Sequence, residues 1–146
     1  MLYSTATQYA IRGLSELAGR AGAKKSMMVD ELADGAALPR EYLAKVFQRL
    51  VKAGLLTSTK GRGGGFALAR AAHDISLMQI IKATDGEADL DRCVIGLDRC
   101  NDAMACPQHD LYKPIRQRLE GYLQTTTLAD LAASLKTKSV WSARSE

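Results

Sequence analysis

The chain has 146 residues, 47% of them hydrophobic, and a formal net charge of +4. That length and apolar content fit an ordinary soluble protein of one domain or two lobes, and no stretch approaches the roughly 20 consecutive apolar residues that a membrane span needs. The start, MLYSTATQYAIRGL, has no basic segment leading into a continuous apolar run, so no secretory signal is visible and a cytoplasmic location is expected.

Charge is placed unevenly. Residues 1–70 carry 11 Lys and Arg against 5 Asp and Glu, a net of +6, whereas residues 71–146 carry 9 against 11, a net of −2. A basic front half points to a polyanion-binding lobe, and the mildly acidic rear to a lobe with another task. There are no internal repeats and no low-complexity tracts.

In chain order, residues 4–20 predict a helix, with Ala6, Tyr9, Ala10, Leu14, Leu17 and Ala18 at helical spacing. Gly19 to Lys25 breaks that pattern with two glycines and a short basic run. Residues 28–33 form a short amphipathic helix, and 34–38 a turn. Pro39 suits the first position of the next helix, where its missing N–H costs nothing, and Glu41 suits the positive end of the dipole. This helix, 39–53, buries Leu43, Val46, Phe47 and Leu50 and presents Arg40, Tyr42, Lys45, Arg49 and Lys52 on the other face, with Gly54 as its C-terminal stop.

Residues 55–60 and 66–69 are short strands joined through Gly61-Arg62-Gly63-Gly64-Gly65. Helix, turn, helix and hairpin in this order make a winged helix-turn-helix, whose second helix enters the DNA major groove. The tip sets one arginine among four glycines. Glycine permits close backbone approach, and arginine supplies the charge that a narrow minor groove attracts. A nucleotide phosphate loop would need a strand–loop–helix setting and a Gly-Lys-Ser/Thr ending, and both are missing.

A further helix spans 75–84, with Ser76 as N-cap and Asp85-Gly86 as its end. A long helix starts near His109 and runs to about Gln124, with Leu111, Ile115, Leu119, Tyr122 and Leu123 in one apolar stripe. In so small a protein, a partner subunit is the expected cover for such a stripe. Thr127 to Leu131 opens a last short helix. The stretch from Lys136 to Glu146 is polar and reads as a loose tail, with Trp141 in it.

Between the last two long elements, at 87–108, lie all three cysteines, as Cys93-x6-Cys100-x5-Cys106, followed by His109. Thiolates and imidazole are donors for iron–sulfur clusters, zinc or copper. Three is an odd number, so complete pairing into disulfides within the chain is impossible, though one disulfide with one free thiol is open. Inert buried cysteines seldom sit in a loop as polar as Leu97-Asp98-Arg99-Cys100-Asn101-Asp102. Zinc favours four ligands and often a tight C-x2-C knuckle, and this spacing is wider. An iron–sulfur cluster is the leading expectation, in a cytoplasm that keeps thiols reduced. No nucleophile-plus-base motif, paired acidic site or cofactor fingerprint is visible, so the chain is not expected to be an enzyme.

The basic helix from Pro39 to Ala53, the tip GRGGGF at 61–66 and the loop C-x6-C-x5-C-x2-H together resemble one bacterial family. They look like the Rrf family of winged-helix transcriptional regulators, in its iron–sulfur-binding, IscR/NsrR-like branch. Tyr9-Ala10, Glu41-Tyr42-Leu43 and Thr127-Leu128-Ala129-Asp130-Leu131 also match its pattern, and the resemblance covers residues 1 to about 133.

The resemblance implies a mainly α fold with a small β-hairpin wing and a long C-terminal dimerisation helix. It implies a DNA-binding lobe at 1–72, a cluster loop with dimerisation helices at 73–135, and the tail at 136–146. It implies a homodimer on a double-stranded, roughly palindromic operator, with a cluster that alters DNA affinity. Cys93, Cys100 and Cys106 correspond to the family's cluster cysteines, and His109 to the histidine that completes a two-iron cluster. One extra residue separates the first two cysteines. Four-iron members draw an aspartate from the partner's N-terminal helix. Gln8 stands there, a poor iron ligand, so a two-iron cluster is favoured over a four-iron one. Arg40, Glu41, Tyr42 and Lys45 lie where members touch bases or phosphates, and Arg62, with Gly63 beside it, is the leading wing contact. Arg49, Lys52 and Lys60 are phosphate candidates. Ala44 replaces a glutamate that tunes sequence choice in IscR-like members. The alternative is a cluster-free winged-helix regulator responding through thiol oxidation, zinc or a protein partner.

Overall fold

The computed structural model describes residues 2–20, 26–86 and 90–135. The predicted basic run at 21–25, the start of the cysteine loop at 87–89 and the polar tail with Trp141 lie outside the described residues. The elements are α1 (Thr5–Arg20), α2 (Val29–Ala36), α3 (Arg40–Lys52), β1 (Leu56–Thr59), β2 (Gly65–Leu68), a 3-10 turn (Ala72–Asp74), α4 (Leu77–Asp85), α5 (His109–Thr125) and α6 (Leu128–Leu135). The fold is mainly α with a small β-hairpin, as expected. Among the described residues, no helix is long and apolar enough to cross a membrane.

Helix α1 is the hub, and it touches α2, α3, α4, α6 and β2. Ala10, Leu14 and Leu17 are wholly buried along it. Gly13 lets α3 come close, because a Cβ there would stand 2.8 Å from the Phe47 ring and 2.9 Å from Leu43. The helix runs through Gly19 and ends at Arg20, the end predicted from its periodicity. One apolar core joins α1 to Leu32 of α2, Phe47 and Leu50 of α3, Ile80 of α4, Leu123 of α5 and Leu128 of α6.

Helix α2 is longer than predicted, for the expected turn at 34–38 begins only after Ala36. Asp34 and Gly35 are weak helix formers, but Gly35 lies against the side-chain ends of Glu16 and Arg20 of α1. The stop comes at Ala37, which adopts φ 54°, ψ 54°. Leu38 N–H then closes the end on Ala33 O at 2.9 Å. Pro39 is the N-cap of α3 in extended conformation, one position earlier than predicted. At the other end Gly54 takes φ 78°, and Leu55 N–H returns to Leu50 O at 3.0 Å.

Strands β1 and β2 pair antiparallel, with Leu56 opposite Leu68 and Thr59 opposite Gly65. Met27 extends the wing as a third strand of one residue, exchanging hydrogen bonds with Phe66 at 2.9 and 2.8 Å. Gly65 makes this possible: its φ is 127°, and a Cβ would stand 2.3 Å from Met27 O. The Phe66 ring meets Phe47 edge-on at 5.2 Å, which fastens the wing to α3.

Helix α4 starts with a capping box, in which Ser76 Oγ accepts from Gln79 N–H (3.2 Å) and Gln79 Oε1 accepts from Ser76 N–H (2.9 Å). Its other end is a polar junction. Ser4 and Thr7 hydroxyls donate to the Asp85 carboxylate at 2.7 and 2.8 Å, and Thr7 Oγ1 lies 2.6 Å from Thr84 Oγ1. Arg49 Nη1 donates to Thr84 O at 3.2 Å, tying α3 to the same point.

The apolar stripe of α5 divides. Leu123 is fully buried and Leu119 packs on the core, whereas Leu111, Ile115 and Tyr122 are 78%, 60% and 47% exposed. The two sets occupy neighbouring sectors of the helix: Leu119 and Leu123 face the core, Tyr122 bonds the Tyr3 side chain at its edge, and Leu111 and Ile115 stand out from it.

Two glycines of α1 differ in a measurable way. Gly13→Ala is expected to lower unfolding stability by about 1–3 kcal/mol through overpacking. Gly19→Ala, with no atom within 4 Å of the added carbon, should raise it by about 0.5–1 kcal/mol. Urea unfolding of both variants measures the contrast.

Candidate functional site

Helix α3 buries Leu43, Val46, Phe47 and Leu50 and so turns Arg40, Glu41, Tyr42, Lys45, Arg49 and Lys52 outward, all of them exposed. Three of these have intramolecular partners that the sequence did not indicate. The Arg40 guanidinium pairs through Nε with Asp30 of α2. Tyr42 meets Tyr9 edge-on at 5.1 Å. Arg49 caps the end of α4, as above. Lys60, Arg62 and Gly63 are exposed at the wing tip, where Gly64 N–H closes a turn on Gly61 O (3.0 Å) and Ser26 Oγ donates to Gly63 O (3.0 Å). Helix α3 and the wing tip thus present basic side chains from two elements that the Phe47–Phe66 contact holds in register.

The cysteine segment, described over 90–108, has no regular secondary structure and is shaped by backbone turns. Cys100 N–H donates to Asp91 O (2.6 Å), Gly96 N–H to Cys93 O (3.0 Å), and His109 N–H to Cys106 O (2.9 Å). All three cysteines are free thiols; Cys93 is 5% exposed, and Cys100 and Cys106 are partly buried. Backbone N–H groups of Ile95 first, then of Leu97 and Gly96, with the Cys106 thiol, hold the Cys93 thiol below its usual pKa, against the opposing effect of burial. Cys93 and Cys106 thus form one pair.

Cys100 and His109 form the other. His109, the first residue of α5, is 6% exposed, and its Nδ1 lies 3.5 Å from Cys100 Sγ. Its Nε2 lies 2.7 Å from Asp102 Oδ1, an oxygen that also accepts from Lys113 Nζ at 2.7 Å. Lys113 first, and His109 second, hold the Asp102 carboxyl below its usual range.

Beside this pair Arg116 reaches from α5 to Asp91 (3.0 Å) and Glu120 (2.9 Å). Burial alone would lower the Arg116 pKa, but Glu120, Cys100 and Asp91 outweigh it and raise it. The four predicted cluster donors therefore lie within one loop and the head of one helix, as two pairs. Among the described residues, no three Cys, His, Asp or Glu side chains converge as they would around a single metal ion.

Sequence reasoning missed Asp30, Asp91, Asp102, Lys113 and Arg116. Only the Arg116–Glu120 pair had a readable signal, its i,i+4 spacing on a helix. The others meet partners across loops whose course no periodicity reveals.

Comparison with known proteins places this architecture. Residues 3–134 match the family model described as Rrf2, iron-dependent transcriptional regulator. The chain is 38% identical over 90 residues to the HTH-type transcriptional regulator IscR of Serratia proteamaculans, covering 62% of this chain and 54% of that protein. It thus spans about half the length of the first curated relatives that it matches. Among solved structures, CymR, the global cysteine regulator of B. subtilis, superposes with a TM-score of 0.77 at 25% identity, covering 92% of this chain and 98% of that one. T. potens IscR superposes with a TM-score of 0.68 at 26% identity, covering 100% and 93%. With a family match across nearly its whole length and a helix-turn-helix, wing and cysteine loop in family order, the chain belongs to the Rrf2 family of transcriptional regulators, a family of DNA-binding regulators rather than enzymes.

Proposed function

We propose that this chain acts in the cytoplasm as a homodimeric regulator whose operator binding is set by an iron–sulfur cluster held by Cys93, Cys100, Cys106 and His109. The observation that carries the reading is the gathering of these donors as two pairs, Cys93 with Cys106 and Cys100 with His109. A two-iron cluster takes two protein ligands at each iron, so a donor set in pairs fits it chemically, and backbone N–H groups aimed at a sulfur are a known means of tuning such clusters. When bound, the cluster supplies a redox-active and chemically labile group. The chain's own residues do the rest.

In this reading residues 1–72 bind DNA, with α3 in the major groove and Arg62 in the minor groove. Residues 73–135 carry the cluster loop and the exposed face Leu111, Ile115 and Tyr122, which a second copy would bury. The loop leaves the chain directly after the junction at Thr84 and Asp85. There Arg49 holds α3 and Ser4 and Thr7 hold α1, so a change in loop order has a physical route to the recognition helix. A ligand of this kind shifts affinity only through a difference in its stability between two arrangements.

A second reading has its own observation. Cys93, with its lowered pKa, lies beside Cys106, and a structural relative is the cysteine regulator CymR. In this reading the chain is cluster-free and responds through thiol oxidation. DNA affinity of cluster-free protein with and without reductant separates the two.

Anaerobic native mass spectrometry after reconstitution is expected to count two irons and two sulfides per chain, and Cys→Ser change at all three positions to abolish the iron. Colourless wild-type protein without iron or sulfide would leave the thiol reading standing. Arg62→Ala should weaken operator binding by about 1–3 kcal/mol, the size of a good base-edge contact, in gel shifts at fixed salt; an unchanged affinity removes the wing from the mechanism. Ile115→Glu should shift the protein from dimer to monomer in sedimentation velocity while leaving the helical content unchanged.

A further inference from the structure

We infer that Asp102 is a positioning residue for His109, which it orients so that Nδ1, not Nε2, is the nitrogen offered to the group bound by the cysteines. The inference rests on the cluster reading above and assigns a role to a side chain that is not itself one of the four donors.

His109 is held at three points. Its backbone N–H is bonded to Cys106 O (2.9 Å), its Nε2 faces Asp102 Oδ1 (2.7 Å), and its Nδ1 faces Cys100 Sγ (3.5 Å). The ring is 6% exposed, so water does not compete freely for either nitrogen. In a neutral imidazole one nitrogen donates and the other accepts. An ionised carboxylate only accepts, so Nε2 carries the proton and the Nδ1 lone pair points at the thiol. In the cluster-free chain Cys100 S–H donates to that lone pair. It is the same lone pair that iron would take, and a carboxylate on the far nitrogen fixes the tautomer and raises ligand basicity.

The carboxylate is itself placed. Met104 N–H donates to Asn101 Oδ1 at 2.7 Å, turning the loop around Asp102, and Lys113 Nζ, one turn into α5, bonds the oxygen that faces His109. An exposed Lys–Asp pair alone contributes little to stability. Here its second partner is a buried ring, and that contact gives it a role. Without Asp102 the ring is free to rotate and present either nitrogen to the cysteines.

The test uses Asp102→Ala and Asp102→Asn. Asn keeps an accepting oxygen for Nε2–H; Ala does not. In reduced, cluster-free protein labelled with 15N-histidine, long-range 1H–15N spectra should show a slowly exchanging proton on His109 Nε2 and a lone pair on Nδ1. Asp102→Ala should lose that slow proton, and Asp102→Asn should keep it. His73, with its side chain 74% exposed, is the internal reference.

In reconstituted protein, Asp102→Ala should speed chelator-driven cluster loss by about 10-fold or more, the usual scale for an outer-shell partner. It should also replace the single nitrogen coupling of the reduced cluster with a mixture, and Asp102→Asn should restore most of both. A proton on Nδ1 in the wild type overturns the inference, as do a loss rate and nitrogen coupling in Asp102→Ala equal to wild type. Wild-type protein that takes up neither iron nor sulfide sinks the cluster reading instead, and the spectra of the cluster-free protein then decide alone whether Asp102 sets the ring.

Discussion

The structure depends on one helix being buried on more than one side. Helix α1 supports α3 of the helix-turn-helix and also α4 and α6 of the rear half. A helix so enclosed needs small residues where neighbours cross, and Ala6, Ala10 and Gly13 meet that need, while Leu14 and Leu17 fill the gaps between crossings. Enlarging a residue at such a crossing forces close-packed side chains out of their rotamers. The helix-turn-helix and the rear helices α4, α5 and α6 therefore share a single core.

Burying α1 also buries hydroxyl groups, and those of Thr7 and Ser15 are satisfied rather than left bare. Thr7 is wholly buried, with its hydroxyl against Thr84 and Asp85. Thr84 Oγ1 lies within hydrogen-bonding distance of Ile80 and Ile81 carbonyls, and its own carbonyl accepts from Arg49. A buried hydroxyl without a partner costs on the order of 1–3 kcal/mol, so the groups at this junction hold one another in place. Three segments are fastened there: the start of α1, the last turns of α3, and the end of α4 just before the cysteine loop.

The loop follows different rules. With no ladder of hydrogen bonds, its course is set by single turns and by charged contacts to α5, in which Arg116 and Lys113 hold Asp91 and Asp102. Such a segment orders through a few specific contacts rather than through a repeating ladder. The buried imidazole at the head of α5 joins this loop to a rigid element.

Much of this was legible in the chain itself. The period of the apolar residues located the long helices, Ser76 marked the start of α4, Gly54 marked the end of α3, and the GRGGG tip marked the wing, because caps, turns and amphipathic faces are local properties. The candidate donors were legible too, since their residue types and spacing are written in one stretch. What only the tertiary structure decided are matters of partner. The α5 stripe divides because Leu119 and Leu123 meet the core while Leu111 and Ile115 do not. Helix α2 persists through Gly35 because α1 lies against it. Arg40 and His109 acquire aspartate partners, 10 and 7 residues away, through turns whose direction depends on packing. A pattern of residue types determines which face of an element is apolar; only the close approach of several elements determines what each face, and each charged atom, finally touches.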